Sequence, residues 1–317
     1  MTNCVNFLLA CPRCHAPLEP SGEDELCCTA DHLTFTCVDG IWRMLLPERA
    51  GLFQQFIQEY ETVRRAEGRG SSASDFYRCL PYRDLTGNWS PDWRIRAGSF
   101  DAFLKQILLP FEQKLGRSLA VLDLGSGNGW LSNQIALRGH RAAAVDLLVN
   151  DLDGLGCHRY YTTQYMPVQA EFDHLPFANR SASLILYNAS FHYSLGYETS
   201  LREALRVLEP HGSIILLDSP FYHDAHSGER MVRERESQFV KKYGFASNSL
   251  PSENFLTYQR LTALAAELKL GVKRITPFYG PRWTLRMLKA WILGRREPAK
   301  FHLIILTPEQ EPVSVRT

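Results

Sequence analysis

Residues 121–131 read Val121-Leu-Asp-Leu-Gly125-Ser-Gly127-Asn-Gly129-Trp130-Leu131, a short apolar run ending in three alternate glycines that lead into a helical pattern. Glycine is required where a backbone turns tightly through dihedrals closed to other residues and where a ligand must approach without meeting a Cβ. A dinucleotide fingerprint asks for glycine at position 130, and tryptophan stands there. A hydride-transfer enzyme is therefore disfavoured. Asp123, two residues before the first glycine, suits a ligand carrying an ammonium group better than a pyrophosphate resting on a helix N-terminus.

Working outward, apolar runs alternate with helical patterns. Strand-like segments are expected at 119–124, 142–146, 184–188, 213–218, 272–278 and 301–306, with a further one before Glu171. Helices are expected at 129–138, 200–208, 229–243 and 256–268. This alternation predicts an α/β fold with a doubly wound, mostly parallel sheet of roughly seven strands. Three acidic or amide positions then fall at the carboxyl edge of that sheet. Asp146 ends the second strand, where a carboxylate meets the hydroxyls of a ribose. Glu171 follows the third, within reach of an adenine amino group, and Asn188 ends the fourth, just ahead of His192 and Tyr193.

Asp123-Leu-Gly125-Ser-Gly127-Asn-Gly129, the Asp146 strand end, the segment Glu171-Phe-Asp-His-Leu175-Pro176-Phe177 and the fourth-strand region, taken in order, resemble the class I S-adenosylmethionine-dependent methyltransferases. The likeness is to the branch that includes quinone-ring methyltransferases and covers about residues 100–310. It implies a seven-stranded sheet with an antiparallel last strand, and S-adenosyl-L-methionine as cofactor. It further implies that Gly125, Gly127 and Gly129 line the methionyl part with Asp123, that Asp146 holds the ribose and that Glu171 faces the adenine. The usual aspartate of that last motif is a glutamate here. Asn188 completes the expected cofactor set.

Six of the eight cysteines, Cys4, Cys11, Cys14, Cys27, Cys28 and Cys37, crowd the first forty residues. In a long intracellular chain such crowding reads as metal ligation, not as a disulfide framework. Cys11-Pro-Arg-Cys14 with Cys28-Thr-Ala-Asp-His32 supplies three thiolates and an imidazole for structural zinc, with Cys27 or Cys37 as possible replacements. The segment resembles the zinc ribbon that precedes bacterial ribosomal RNA guanine methyltransferases, Gly40-Ile41 and Leu45-Leu46-Pro47 included, and the small zinc-ribbon activator of translation-factor methyltransferases. The expected organisation is a ribbon over residues 1–47, a helical and aromatic-rich connector over 48–99, and a methyltransferase domain over 100–317 with a lid insertion at about 220–265.

Charge balance shapes the choice of acceptor. With 35 basic and 34 acidic side chains the formal net charge is +1, so nothing global draws the chain to nucleic acid or an anionic membrane. No apolar run approaches the roughly 18 residues of a spanning helix, and a cytoplasmic protein is expected. The expected activity is methyl transfer to an O, N or C atom of a small organic acceptor, with His192 as base and Tyr193 orienting the acceptor. Two alternatives stand beside it. One is RNA methylation, using a basic stripe of Arg64, Arg65, Arg69, Arg295 and Arg296. The other is a cofactor-binding regulatory partner with no methylation of its own. Arg78, Arg83 and Arg94, set among aromatics, are candidates to grip a carboxylate or phosphate of the acceptor.

Overall fold

The computed structural model describes residues 7–309, so Cys4 lies outside the described residues. Four short strands come first: β1 (Glu19–Gly22), β2 (Glu25–Cys28), β3 (Leu33–Val38) and β4 (Ile41–Arg43). Helices α1 (Pro47–Ala66), α2 (Ser74–Arg78), α3 (Ser90–Phe103) and α4 (Leu109–Leu115) follow, the last two joined by a π-helical turn. Next come β5 (Ala120–Leu124), α5 (Trp130–Ala136), β6 (Arg141–Asp146), β7 (Met166–Gln169), β8 (Ala182–Asn188), α6 (Tyr197–Val207) and β9 (Leu208–Leu217). The chain continues through β10 (Phe221–Tyr222), α7 (Ala225–Tyr243), β11 (Leu256–Thr257), α8 (Tyr258–Glu267), β12 (Leu270–Ile275), α9 (Pro281–Thr284), α10 (Arg286–Ile292) and β13 (Leu303–Pro308).

Seven strands lie in the order β7-β6-β5-β8-β9-β13-β12, and β13 runs antiparallel to both of its neighbours. The expectation of a seven-stranded sheet nevertheless needs correction. The four N-terminal strands extend the same sheet to eleven strands through β4, which pairs with β7 in parallel. Trp42 lies opposite Val168, Arg43 opposite Gln169, and the Met44 N–H donates to the Gln169 carbonyl at 2.9 Å. The physical reason is size. A forty-residue unit has too little apolar surface to close a core, so it borrows one.

That borrowing is visible in the packing. Strand residues alternate between the two faces of the sheet: Leu122, Leu124, Ala143, Val145, Ile185 and Ile214 face one core, while Val121, Ala142, Ala144, Leu184, Leu186 and Ile215 face the other. Both faces are covered, which is why the sequence reads as continuous apolar runs instead of alternation. Phe35, Met44 and Leu46 enter the first core and Ile41 the second. Much of the aromatic connector packs as well: Phe76, Tyr77, Leu80 and Trp93 are buried in the second core. If the N-terminal strands are structurally continuous with the sheet, Met44→Ala will cost about 2–4 kcal/mol. In denaturant titration it will do so within a single unfolding transition, with no separate early phase.

Candidate cofactor and acceptor site

Strand order reverses at β5, whose neighbours β6 and β8 lead away in opposite directions, and a crevice opens beyond its carboxyl end. Gly125, Gly127 and Gly129 have φ of +73°, +56° and +76°, conformations that strain any side-chain-bearing residue. A Cβ on Gly125 would sit 2.3 Å from the Ser190 Cβ, and one on Gly129 2.2 Å from the Tyr165 hydroxyl. The loop is clasped onto β6: the Gly125 and Ser126 N–H groups donate to the Val145 carbonyl at 2.8 and 3.1 Å. Asp146 completes the clasp, accepting from the Gly127 N–H at 2.8 Å and from the Leu148 N–H at 2.9 Å.

Asp123 lies beneath this loop, only 1% exposed. One of its oxygens accepts from the Ser132 hydroxyl at 2.9 Å and the other has no partner. Burial pushes its carboxyl up to about 7, and burial likewise raises Asp146 to about 6. Across the crevice Arg96 lines a polar pocket of 460 Å³ with the glycine loop, Asn188 and Trp93. Arg96 stacks its guanidinium over Trp93 and makes no ion pair within 4 Å among the described residues, though its charge acts on the buried Asp218 carboxyl.

A larger pocket of 650 Å³ adjoins it, lined by Gly125, Asp146, Leu148 and Phe172 and walled by Phe53, Phe56 and Tyr60 of α1. Helix α1 is thus part of the site, a role the sequence reading assigned only to later residues. Its inward positions are spaced three or four apart, and Arg64, one turn after Tyr60, continues the row to ion-pair with Asp153. The helix is tied down at its other end. Arg49 donates through Nε and Nη2 to the two oxygens of Glu171, at 2.8 and 2.6 Å. His174 Nδ1 approaches the same carboxylate at 3.1 Å. Burial works against ionisation of Glu171, yet Arg49 and His174 outweigh it and hold the carboxyl below its ordinary range. Glu171 does line the cleft, but the carboxylate expected to face an adenine is already engaged in anchoring α1.

His192 and Tyr193 occupy a 3₁₀ turn directly after β8. Tyr193 reaches the cleft and contacts Phe56 and Tyr60, with ring centroids 6.1 and 6.2 Å apart. His192 is buried, and its surroundings are poor for the expected base. Burial, with Arg235 and Arg96 nearby, lowers its pKa to about 3, so the ring is neutral at physiological pH and has little affinity for a proton. Arg78, a candidate to grip the acceptor, instead donates to the Tyr160 carbonyl, and Arg83 and Arg94 line neither of these two pockets nor the neighbouring 690 Å³ cavity between α1 and α7. The arginines that do line them are Arg64, Arg96 and Arg235.

The cysteine cluster also differs from the expected set. Cys11, Cys14, Cys28 and Asp31 place their ligand atoms within 4.8 Å of one another, whereas His32 is not among them. His32 follows at φ +53°, and it is the preceding aspartate that turns inward. The separations are 3.1 Å for Cys11 Sγ to Asp31 Oδ2, 3.5 Å for Cys14 Sγ to Cys28 Sγ and 3.7 Å for Cys28 Sγ to Asp31 Oδ2. A tetrahedral zinc site with bonds of 2.0–2.3 Å has ligand–ligand edges of about 3.3–3.8 Å, so this donor set fits that ion. Cys27 and Cys37 lie on β2 and β3, outside the cluster. The basic stripe considered for RNA is largely neutralised: Arg64 pairs with Asp153, Arg69 with Glu67 and Asp92, and Arg296 with Glu234.

Comparison with known proteins places these features. Residues 122–216 match the family model described as a methyltransferase domain. A malonyl-[acyl-carrier protein] O-methyltransferase of Halorhodospira halophila is 26% identical over 200 residues, covering 56% of this chain and 68% of the relative. The biotin biosynthesis bifunctional protein BioHC of Cellvibrio japonicus is 26% identical over 238 residues, 69% of this chain and 44% of that protein. The chain therefore spans about two thirds of the first relative and under half of the second. Among solved structures, the YcgJ protein from Bacillus subtilis covers 61% of this chain and 93% of its own, at 15% identity and a TM-score of 0.45. A complex between the Haloferax volcanii Trm112 methyltransferase activator and a methyltransferase covers 76% of this chain and all of the matched one, at 15% identity and a TM-score of 0.48. No described helix is long and apolar enough to cross a membrane. The stretch matched by the methyltransferase-domain model, residues 122–216, runs from β5 to β9 and so carries the glycine loop, Asp146, Glu171 and Asn188.

Proposed function

We propose that this chain transfers a methyl group from S-adenosyl-L-methionine to a small organic acceptor. The observation that carries the reading is a charge pattern. A buried carboxylate oxygen of Asp123 without a hydrogen-bond partner lies under the glycine loop, and Arg96, which makes no ion pair within 4 Å among the described residues, lines the pocket beside that loop. Together these complement an amino-acid zwitterion, the methionyl end of the cofactor. Asp146 keeps spare lone pairs for ribose hydroxyls after accepting two backbone donors, and Asn188 lines the methionyl side. Glu171 reaches an adenine amino group only through lone pairs left over from Arg49.

The cofactor supplies an electrophilic methyl on a sulfonium, and in-line displacement needs mainly alignment and exclusion of water. Phe53, Phe56 and Tyr60 supply the exclusion, and Tyr193 orients the acceptor from the facing turn. His192 serves as a neutral hydrogen-bonding group in place of a base. Cys11, Cys14, Cys28 and Asp31 would hold a structural zinc ion, because four protein ligands leave no open position for chemistry. The curated relatives named for O-methylation of a carrier-protein malonyl group support a non-RNA acceptor.

Four outcomes test this. Calorimetric affinity for S-adenosylhomocysteine will fall by tenfold or more in Asp146→Ala, a loss of about 1.4 kcal/mol. In the wild type it will rise roughly tenfold from pH 5.5 to pH 8, because Asp123 (about 7) and Asp146 (about 6) are partly protonated at the lower pH and the ammonium group favours the ionised form. No heat at either pH would overturn the reading. A heteronuclear NMR titration will show the His192 ring unchanged between pH 5 and 8, since its pKa is lowered to about 3. Elemental analysis of reduced, purified protein will find zinc retained by His32→Ala and lost by Cys14→Ser and Asp31→Ala.

A further inference from the structure

Beyond the cofactor cleft, α1 and α7 enclose a second cavity of 690 Å³. It continues from the first, because Phe56, Tyr60, Tyr193 and Leu250 line both. Four aromatic rings line it, Phe56, Tyr60 and Tyr193 together with Phe239, alongside polar groups that include Arg64, Glu67 and Asn254. One charged group stands out. Arg235 lines the cavity from α7; its Nη2 donates to the side-chain oxygen of Asn254 at 2.9 Å, while its Nε is buried with no acceptor. No carboxylate of the described residues lies within ion-pair distance of it. The other charges lining the cavity are already matched, Arg64 with Asp153 and Glu67 with Arg69. The Ser252 hydroxyl, also lining it, is buried and unpartnered.

A guanidinium whose Nε is shut away from solvent with no acceptor is costly unless something supplies the anion. Arg235 is positioned, not loosely exposed. Asp224 caps the start of α7 by accepting from the His226 and Ser227 N–H groups, and Glu234 ties the helix to Arg296 at 2.7 Å. Asn254, which fixes the guanidinium, is itself set by its own N–H donating to the His192 carbonyl at 3.0 Å. The planar fork presents paired donors that match a carboxylate.

We propose that this cavity is the acceptor subsite and that it selects a flat, apolar molecule bearing a carboxylate, which Arg235 recognises. The inference rests on the methyltransferase reading and adds the substrate class to it. The aromatic walls take the hydrophobic body, the open side toward Tyr193 presents it to the cofactor cleft, and Ser252 offers a further hydrogen bond to the anionic end.

The test uses the full chain saturated with S-adenosylhomocysteine and a matched pair of probes, 2-naphthoate and its neutral isostere 2-naphthamide, in calorimetry. Wild type will bind naphthoate at least tenfold more tightly than naphthamide. Arg235→Gln will erase that ratio, and Arg235→Lys, which keeps the charge but not the fork, will retain part of it. Circular dichroism reports whether both variants fold, and the Lys variant alone suffices if the Gln variant does not. Equal binding of the two probes by wild type, no binding of naphthoate, or a ratio surviving in Arg235→Gln overturns the proposal. Failure of S-adenosylhomocysteine itself to bind overturns the cofactor reading instead, while the probe ratio can still be measured on the unliganded chain.

Discussion

A single acceptor group, the Asp146 carboxylate, holds the shape on which the rest of this molecule depends. Three left-handed glycines in five residues would be an expensive and mobile loop if left alone, since glycine loses the most conformational freedom on ordering. Asp146 takes the Gly127 N–H, and the adjacent Val145 carbonyl takes two more, so the first three residues of the turn are fastened to β6. With the loop fixed, Asp123 is shut beneath it and Ser190 and Tyr165 close on the space a Cβ would need. The crevice is thereby preformed, and Asp123, Asp146 and Arg96 stand at it without an ion pair among the described residues.

The N-terminal segment reaches that crevice by two independent routes. Through β4 it adds strands beside β7, whose end leads to Glu171. Through α1 it lays an aromatic row along the cleft, pinned by Arg49 on Glu171 at one end and by Arg64 on Asp153 at the other. A bidentate pair with one partner buried is worth more than an exposed surface bridge, because the geometry is fixed and solvent screens it less. Metal ligation by Cys11, Cys14, Cys28 and Asp31 would therefore stiffen the same body that walls the active site.

The glycine turn, the strand ends at Asp146 and Asn188, and the alternation of strands with helices were legible because local geometry dictates residue type there. Periods of two and of three to four leave a trace in any sequence. What was not legible depended on contacts across long stretches of chain. Arg49 and Glu171 are 122 residues apart, so the pairing that redirects the glutamate has no local signature. Asp31 in place of His32 is a difference of one residue in a turn, decided by backbone direction. The joining of the ribbon to the sheet depends on β7 having a free edge, which no reading of residues 1–47 alone can contain. The helical character of the connector over 48–99 was legible, but the cleft that α1 faces was not.

That junction also changes where the sheet stops. Had β7 been the last strand, a flat apolar edge would have stood open to hydrogen-bonding by any passing extended chain. The terminal position passes instead to β1, four exposed residues that include Glu19 and Pro20, with an irregularity in register between Pro20 and Gly22. Proline withholds a donor and a bulge twists the ladder away. At the opposite margin β12 turns Lys273 and Arg274 outward. Both margins are built to refuse another strand, so the enlarged sheet is guarded against the edge-to-edge aggregation that its length would otherwise invite.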